Sequence, residues 1–448
     1  MHVAHFAHRY PPALGGCEAY VERLSRSLAD SGDDVTVWTS TAVDLEEMWR
    51  PPGAATGRER LSHESCSLPV AAPGGVAVRR YPPLWIPGRR YALKALTLLP
   101  LPPLQALTIP CNPVCPGMWR DAGRFAGPLD AVHAFAFPYS FPIACGLRLA
   151  RRRGVPFLLT PFLHLGDPTD PADRTRRQYT SRPLCWLLRQ ADRVFVQTPS
   201  EFDAVVRLGV PADRVVRQGL GVDPGECTGG DRDAVRRAWG VQPGEVVVGH
   251  LANLSAEKGT VDLHRAAERA WAGGAKFRLV LAGPDMPNFR RAWQAFPAKH
   301  RVTRLGVLTD AGKRDFFAGI DVFALPSRTD SFGLVLLEAW ANGKPNLCYR
   351  AGGPADLIRD GEDGLLVRCG DVEGLAAGLA RLAADEGLRR RLGAVGRDRV
   401  GREFRWADKL ELVREVCTSG QAIETRRFPP QRGAEIIAQG ASPGYTSE

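Results

Sequence analysis

Apolar residues along this chain fall into a recurring order: a short continuous run, a turn rich in glycine or proline, then a longer stretch with helical spacing. Runs of that length bounded by turn residues read as buried strands, and the 3.6-residue recurrence after them reads as amphipathic helix. Residues 2 to 6 are the first run. The loop HRYPPALGG then leads into Cys17, Val21, Leu24 and Leu28 at helical spacing, Gly32 closes that helix, and Val35 to Thr39 is the next strand. The theme returns at Asp130, where DAVHAF predicts a strand, PIACGLRLARRRG a helix and VPFLLTPFLHLGDP a strand running into a loop. ADRVFVQTPSEFDAVVRLGVP repeats it, with Ser200 as the N-cap of its helix. VDPGECTGGD, residues 222 to 231, reads as a hinge. Beyond it come VVVGHLANLSAEKGTVDL, with a helix from about Thr260, then FRLVLAGP, RVTRLGVLT and DVFALPS. Residues 371 to 403 are helical and charged, and from Thr418 onward polar sequence without a period predicts a disordered tail.

Residues 41 to 128 are the least regular part. Leu84 to Leu104 mixes Trp85, Arg89, Arg90 and Lys94 with leucines, and its prolines argue against one long helix. Two placements are open for it, a membrane surface or a loop and helix packed on the first domain, and the second is favoured.

The most informative stretch is DSFGLVLLEAWANGKP, residues 330 to 345. It sets Asp330 before a Ser331-Phe332-Gly333 turn and an apolar helix whose only charge is Glu338, ended by Gly343 and Pro345. A helix apolar all round is buried, so Glu338 needs a partner or a use. Strand, turn and helix together place the turn at the carboxyl edge of a sheet, where ligands bind and helix-opening N–H groups suit a phosphate. A structural ion pair for Glu338 and an N-cap for Asp330 are the plainer alternatives.

Composition narrows the possibilities. A chain of 448 residues predicts about two domains. The net charge of +10 would suit anionic donors, membranes or nucleic acid, but the basic residues are scattered and carry no aromatic-basic module, which argues against nucleic acid. The start MHVAHFAHRYPP has no signal-peptide pattern and no apolar run is long enough to span a bilayer, so a cytoplasmic protein is expected, with peripheral contact at the inner face of the membrane left open. The ten cysteines are spread out; only Cys111 and Cys115 lie close, and reduced thiols are expected rather than zinc.

Three further features carry candidate chemistry. Gly15 and Gly16 at a helix N-terminus let a ligand approach the backbone, although they do not form a G-x-G-x-x-G fingerprint. Asn253, Ser255 and Lys258 lie on a loop before a helix, where the lysine can offset a diphosphate charge. His133 and His164 fall at predicted strand ends facing one cleft, although a lone histidine beside apolar residues is more often structural.

The 330–345 stretch resembles the sugar-nucleotide signature of glycosyltransferase family 4, retaining enzymes with the α/β GT-B fold of two Rossmann-like domains facing across a deep cleft. The signature is Glu, seven residues, Glu; Asp330 stands at the first position and Glu338 at the second. The resemblance implies an acceptor-side domain over 1–222, a donor domain over 223–400 and a crossover helix over 401–417, before the tail of 418–448. It gives Glu338 the donor ribose and Asp330 the transferred sugar, with His133 or His164 at its hydroxyls. Lys258, Gly15, Gly16 and the backbone of Ser331, Phe332, Gly333 and Leu334 take the diphosphate. The loop from Gly306 to Thr309 holds the base through backbone groups. The family usually has Arg at the position of Asn253, so a charge is missing, and Arg328 or Arg9 are the candidates to replace it. Asp356 stands where Glu is usual.

The expected function is transfer of a hexosyl unit from a UDP- or GDP-sugar to a hydroxyl of a glycan, lipid or small-molecule acceptor, as in cell-envelope or glycoconjugate synthesis. No Asp-x-Asp motif lies in a matching loop, so neither a metal nor any other cofactor is implied beyond the nucleoside diphosphate sugar as co-substrate. The alternative is a catalytically weak or inactive sugar-nucleotide-binding scaffold at the membrane surface. An epimerase, a phosphorylase and an NAD-linked oxidoreductase fit less well.

Overall fold

The computed structural model of the chain describes residues 1–49, 70–71 and 75–419. The predicted alternation becomes two sheets. The first holds β1 (His2–Phe6), β2 (Asp34–Ser40), β3 (Val70–Ala71), β4 (Ala77–Tyr81), β5 (Ala131–Phe135), β6 (Phe157–Thr160), β7 (Arg193–Val196) and β8 (Val215–Arg217). Their spatial order is β3-β4-β2-β1-β5-β6-β7-β8, parallel throughout except where β3 meets β4. The second sheet is all parallel and holds β9 (Val246–Leu251), β10 (Phe277–Ala282), β11 (Val302–Gly306), β12 (Val322–Leu325), β13 (Asn346–Tyr349) and β14 (Gly364–Val367), in the order β11-β10-β9-β12-β13-β14.

Parallel neighbours require crossovers, which the helices supply, and helices on both faces bury the strands on both sides. That is why β5, β6, β12 and β13 are apolar runs without alternation, buried at every position. In each sheet the winding direction reverses once, between β1 and β5 and between β9 and β12. At such a reversal the loops leaving the carboxyl ends of adjacent strands diverge and open a crevice. The loops that follow three of these strands contain Gly15, Asn253, Lys258 and Asp330, and Gly16 opens the helix after the first of them.

Residues 371 to 403 form two helices, Val372–Ala384 and Glu386–Glu403. Positions 401 to 403 finish the second of them, so the last helix starts later than expected and runs Trp406–Ser419. It returns to the first sheet: Arg414 Nε lies 3.1 Å from Asp33 Oδ2, and Gln218 Nε2 donates to the Lys409 carbonyl at 3.2 Å. One apolar core joins both halves through Tyr20, Phe162, Trp340 and Trp406.

Leu84 to Leu104 breaks at its prolines into the helices Arg89–Leu96 and Pro102–Thr108. The nine described cysteines are free thiols, and Cys66 and most of the 418–448 segment lie outside the described residues. No described helix is long and apolar enough to cross a membrane.

Candidate functional site

The 330–345 motif builds one wall of the crevice. After β12 the chain turns at Asp330, passes Gly333 at φ 89°, and enters the helix Leu334–Ala341. The first N–H groups of that helix have no intrahelical carbonyl to bond. Gly353 closes the turn from behind, its N–H donating to the Asp330 carbonyl at 2.9 Å, and a Cβ there would lie 2.3 Å from the Ser331 carbonyl oxygen. Only glycine permits that approach. Phe332 points its ring into the core near Phe404, so its part in any ligand contact falls to its backbone.

Glu338 is buried in mid-helix. One carboxylate oxygen lies 2.5 Å from Lys313 Nζ, and the other is buried with no partner. Burial pushes this carboxyl up from its ordinary range, and Lys313 opposes that without cancelling it. Lys313 comes from the helix Asp310–Gly319, and nothing in its local sequence marks it; only the packing of the two helices brings it to Glu338.

Asp330 lies 2.7 Å from Lys258 Nζ, across the loops leaving β12 and β9. Burial would raise its carboxyl, but the Lys258 ammonium reverses the effect and holds it below the usual carboxylate range. His164 meets this pair from the first half of the chain, its Nδ1 bonded to the Thr329 carbonyl. A carbonyl only accepts, so Nδ1 carries the proton and Nε2 of the neutral ring is an acceptor. Burial pulls its pKa down to about 4, with Lys258 pushing the same way and Asp330 opposing. The ring is therefore neutral near pH 7.

Two more contacts close the crevice floor between the halves. The Gly352 N–H donates to the Gly166 carbonyl at 3.1 Å. Asp356 accepts from the Ser200 N–H at 2.9 Å and the Ser200 hydroxyl at 2.7 Å. Ser200 thus serves the opposite half, and the N-cap of its helix is Thr198, whose side chain accepts from the Glu201 N–H.

Two family models match this arrangement of sequence. That for glycosyl transferases group 1 covers residues 231–399, and that for a glycosyl transferase 4-like domain covers residues 15–221. The 2-deoxystreptamine N-acetyl-D-glucosaminyltransferase of Streptomyces fradiae is 30% identical over 416 residues, 90% of each chain. The chain belongs to glycosyltransferase family 4. A further relative of this glycosyltransferase is the D-inositol 3-phosphate glycosyltransferase of Stackebrandtia nassauensis, 29% identical over 331 residues, 70% of this chain and 72% of that one. Among solved structures, HepE of Anabaena in complex with UDP and glucose superposes with a TM-score of 0.68 at 17% identity, covering 94% of this chain and all of that one. Sucrose-phosphate synthase of Thermosynechococcus elongatus gives 0.70 at 22%, covering 92% and 97%. The fold is GT-B, and a non-catalytic scaffold is not favoured.

On the first-half wall of the glycosyltransferase, the helix Gly16–Asp30 opens at the paired glycines. A Cβ on Gly16 would meet nothing within 4 Å, whereas one on Gly15 would strike the Glu18 carboxylate, which folds back over it. Glu18 is buried and paired with Arg9 Nη2 at 2.5 Å and His8 Nε2 at 3.3 Å. Burial would raise its carboxyl, but His8 and Arg9 prevail and hold it low. His8 in turn stacks on Tyr139, ring centroids 4.0 Å apart. Glu18, an acid in the first helical turn three residues after Gly15, was open to recognition from sequence; the His8–Tyr139 stack was not.

Two expectations about the site need correction. His133 is not at a strand end: it is the third of the five residues of β5, 0% exposed, with Nε2 2.8 Å from Thr160 Oγ1 and its ring against Phe135 and Phe195. A strand buried on both faces has no alternation to mark its end, so the facing of His133 could not be read. It is a core residue. Arg9 is committed to Glu18 and Arg328 to Asp262 Oδ2 at 2.5 Å, so neither stands free in place of the charge missing at Asn253, which is exposed on the loop after β9. Among the described residues no group of three or more His, Cys, Asp or Glu is arranged to hold a metal.

Proposed function

We propose that the protein moves a hexosyl unit from a nucleoside diphosphate sugar to an acceptor hydroxyl, with retention at the anomeric carbon and without a metal cofactor. The observation that carries this is the buried Glu338 carboxylate, one oxygen on Lys313 and the other unpartnered. A buried acceptor atom left unsatisfied costs about 1–3 kcal/mol, and the adjacent hydroxyls of a ribose supply the missing donors. The remaining roles follow from chemistry. The leaving diphosphate gains charge as the glycosidic bond breaks, and Lys258 with the N–H groups of Gly16 and of the Ser331–Leu334 turn can neutralise it. Asp330 and the Nε2 acceptor of neutral His164 are suited to sugar hydroxyls. Acceptors named for the relatives are an aminocyclitol and an inositol phosphate, both polyols, which supports a hydroxyl nucleophile on a glycan, lipid or small polyol.

The test is thermal stabilisation of the protein by UDP, GDP and their sugars in the presence of EDTA, followed by NMR assignment of the product anomer. Stabilisation by one nucleotide family, and a product with the donor's anomeric configuration, are expected. Stabilisation only after metal is restored, or an inverted product, would overturn the corresponding part of the proposal.

A further inference from the structure

Between Leu84 and Leu101 the surface of the first domain is unlike the rest. Trp85, Ile86, Tyr91, Leu98, Leu99 and Leu101 are all solvent-exposed, Tyr91 at 81% and Leu98 at 80%. The segment is not loose. Arg89 ties it down by donating to the Leu84 and Met48 carbonyls, and Leu93 is buried beneath it. Large apolar side chains held outward on an anchored helix (Tyr91) and on the segments flanking it cost solvation, so this is a patch waiting to be covered.

Charge decides what covers it. Arg90 and Lys94 stand exposed among these residues, and no acidic residue occurs between Ala77 and Arg120. Asp44 and Glu47, which precede Met48, are turned back to accept from their own backbone. A second copy in a two-fold pair would set this same cationic patch against itself, which like charges disfavour. An apolar surface rimmed by cations fits a bilayer carrying anionic lipid, where apolar insertion and attraction to headgroups act together. We infer that residues 84–101 dock the first domain on an anionic membrane surface. Just past the helix Pro102–Thr108, Cys111 Sγ donates to the Pro138 carbonyl at 3.7 Å, next to Tyr139, the stacking partner of His8, so this face continues toward the first-half wall of the crevice. Docking would bring that wall near the bilayer.

The experiment is flotation of the full chain with vesicles of phosphatidylcholine alone, or with about one-third phosphatidylglycerol. The variants are Tyr91→Ser/Leu98→Ser and Arg90→Glu/Lys94→Glu, each checked for an unchanged melting temperature. Wild type should float with the anionic vesicles only. Each double variant should lower the bound fraction by at least about tenfold. No flotation of wild type overturns the inference. So does flotation unaffected by the apolar variant, which would mean general attraction of a basic protein. A dimer in light scattering that the Leu98 variant dissolves would assign the patch to a second copy instead. Because the readout needs no donor, failure here leaves the transferase reading standing.

Discussion

Replacing Glu338 by glutamine keeps its shape and removes its charge, which separates a binding role from a structural one. In the ligand-free protein two effects oppose each other. The variant gives up an ion pair whose lysine is 33% exposed, worth about 1 kcal/mol or less. It also relieves a buried charge that burial disfavours more than Lys313 favours, although the amide placed at the free oxygen's position is itself buried without a partner. The effects nearly offset, so the melting temperature should stay within a few degrees of the wild-type value, at about 2–4 °C per kcal/mol for domains of this size. Nucleotide binding should move the other way. Hydrogen bonds to a charged group are worth about 1.5–3 kcal/mol against about 0.5–1.5 for a neutral one, so two ribose contacts lose about 2–3 kcal/mol, or roughly 30- to 150-fold in affinity. At a nucleotide concentration of about 100 times the wild-type Kd, binding stabilises wild type by about 2.7 kcal/mol, and a hundredfold weaker variant by only about 0.4. Differential scanning fluorimetry with and without the nucleotide reads both. A variant several degrees less stable alone, yet still stabilised by nucleotide as wild type is, would make Glu338 a structural residue and refute the reasoning.

Acid should destabilise the fold through its buried histidines. Burial pulls His5 to about 3 and His164, His250 and His264 to about 4, and takes His133 well below its ordinary value. The unfolded chain protonates near 6.5, so their full stability is present above that pH and is lost as pH falls toward 4, by about 1.4 kcal/mol per pH unit for each group. Glu201, which burial pushes up to about 7, acts in the opposite direction over part of this window but is outnumbered. His133→Gln should flatten the denaturation-versus-pH profile by about one proton's worth; an unchanged slope would contradict the neutral buried ring. Gly16→Ala should leave the melting temperature unchanged, because its Cβ meets nothing, while weakening donor binding measured by calorimetry; equal binding would move the diphosphate away from this helix. Asp356→Ala should lower kcat and raise KM together in steady-state assays, since it removes two hydrogen bonds across the crevice floor without touching the Lys258–Asp330 pair; unchanged constants would show that these bonds do not govern closure.

The fold was legible because its rule is local. Short apolar runs closed by glycine and followed by helical spacing specify strand and helix without tertiary information, and all but one of the fourteen strands among the described residues run parallel in two sheets. The wall of the crevice built by the 330–345 motif was legible for the same reason: Asp330, the Ser331–Gly333 turn and Glu338 sit on contiguous sequence. Groups set by packing between distant elements were not. Lys313 reaches Glu338 from another helix, Asp356 reaches Ser200 from the other half, and His133 is hidden on a strand with no alternation to orient it. The residues expected to replace the missing charge were misread because their carboxylate partners, Glu18 and Asp262, lie on other elements.

Those pairings bear on how the donor would enter. Lys258 is held by Asp330, Lys313 by Glu338, Arg9 by Glu18 and Arg328 by Asp262. An ammonium carries three N–H donors, so a diphosphate either shares Lys258 with Asp330 or draws it away; where it draws it away, the freed carboxylate accepts from the sugar, and anion binding and sugar orientation become one exchange. Asp330→Asn tests it. With the partner charge gone, Lys258 is released in advance; a pair whose members are 25% and 16% exposed holds it by about 1 kcal/mol, so the nucleoside diphosphate alone should bind up to about fivefold tighter. Transfer should fall, because the amide accepts sugar hydroxyls less strongly than the carboxylate. Calorimetry with the nucleoside diphosphate and kcat with the full donor should therefore move in opposite directions. If affinity and turnover fell together, Asp330 would be holding Lys258 in its working position rather than competing with the diphosphate for it, and the exchange would be wrong.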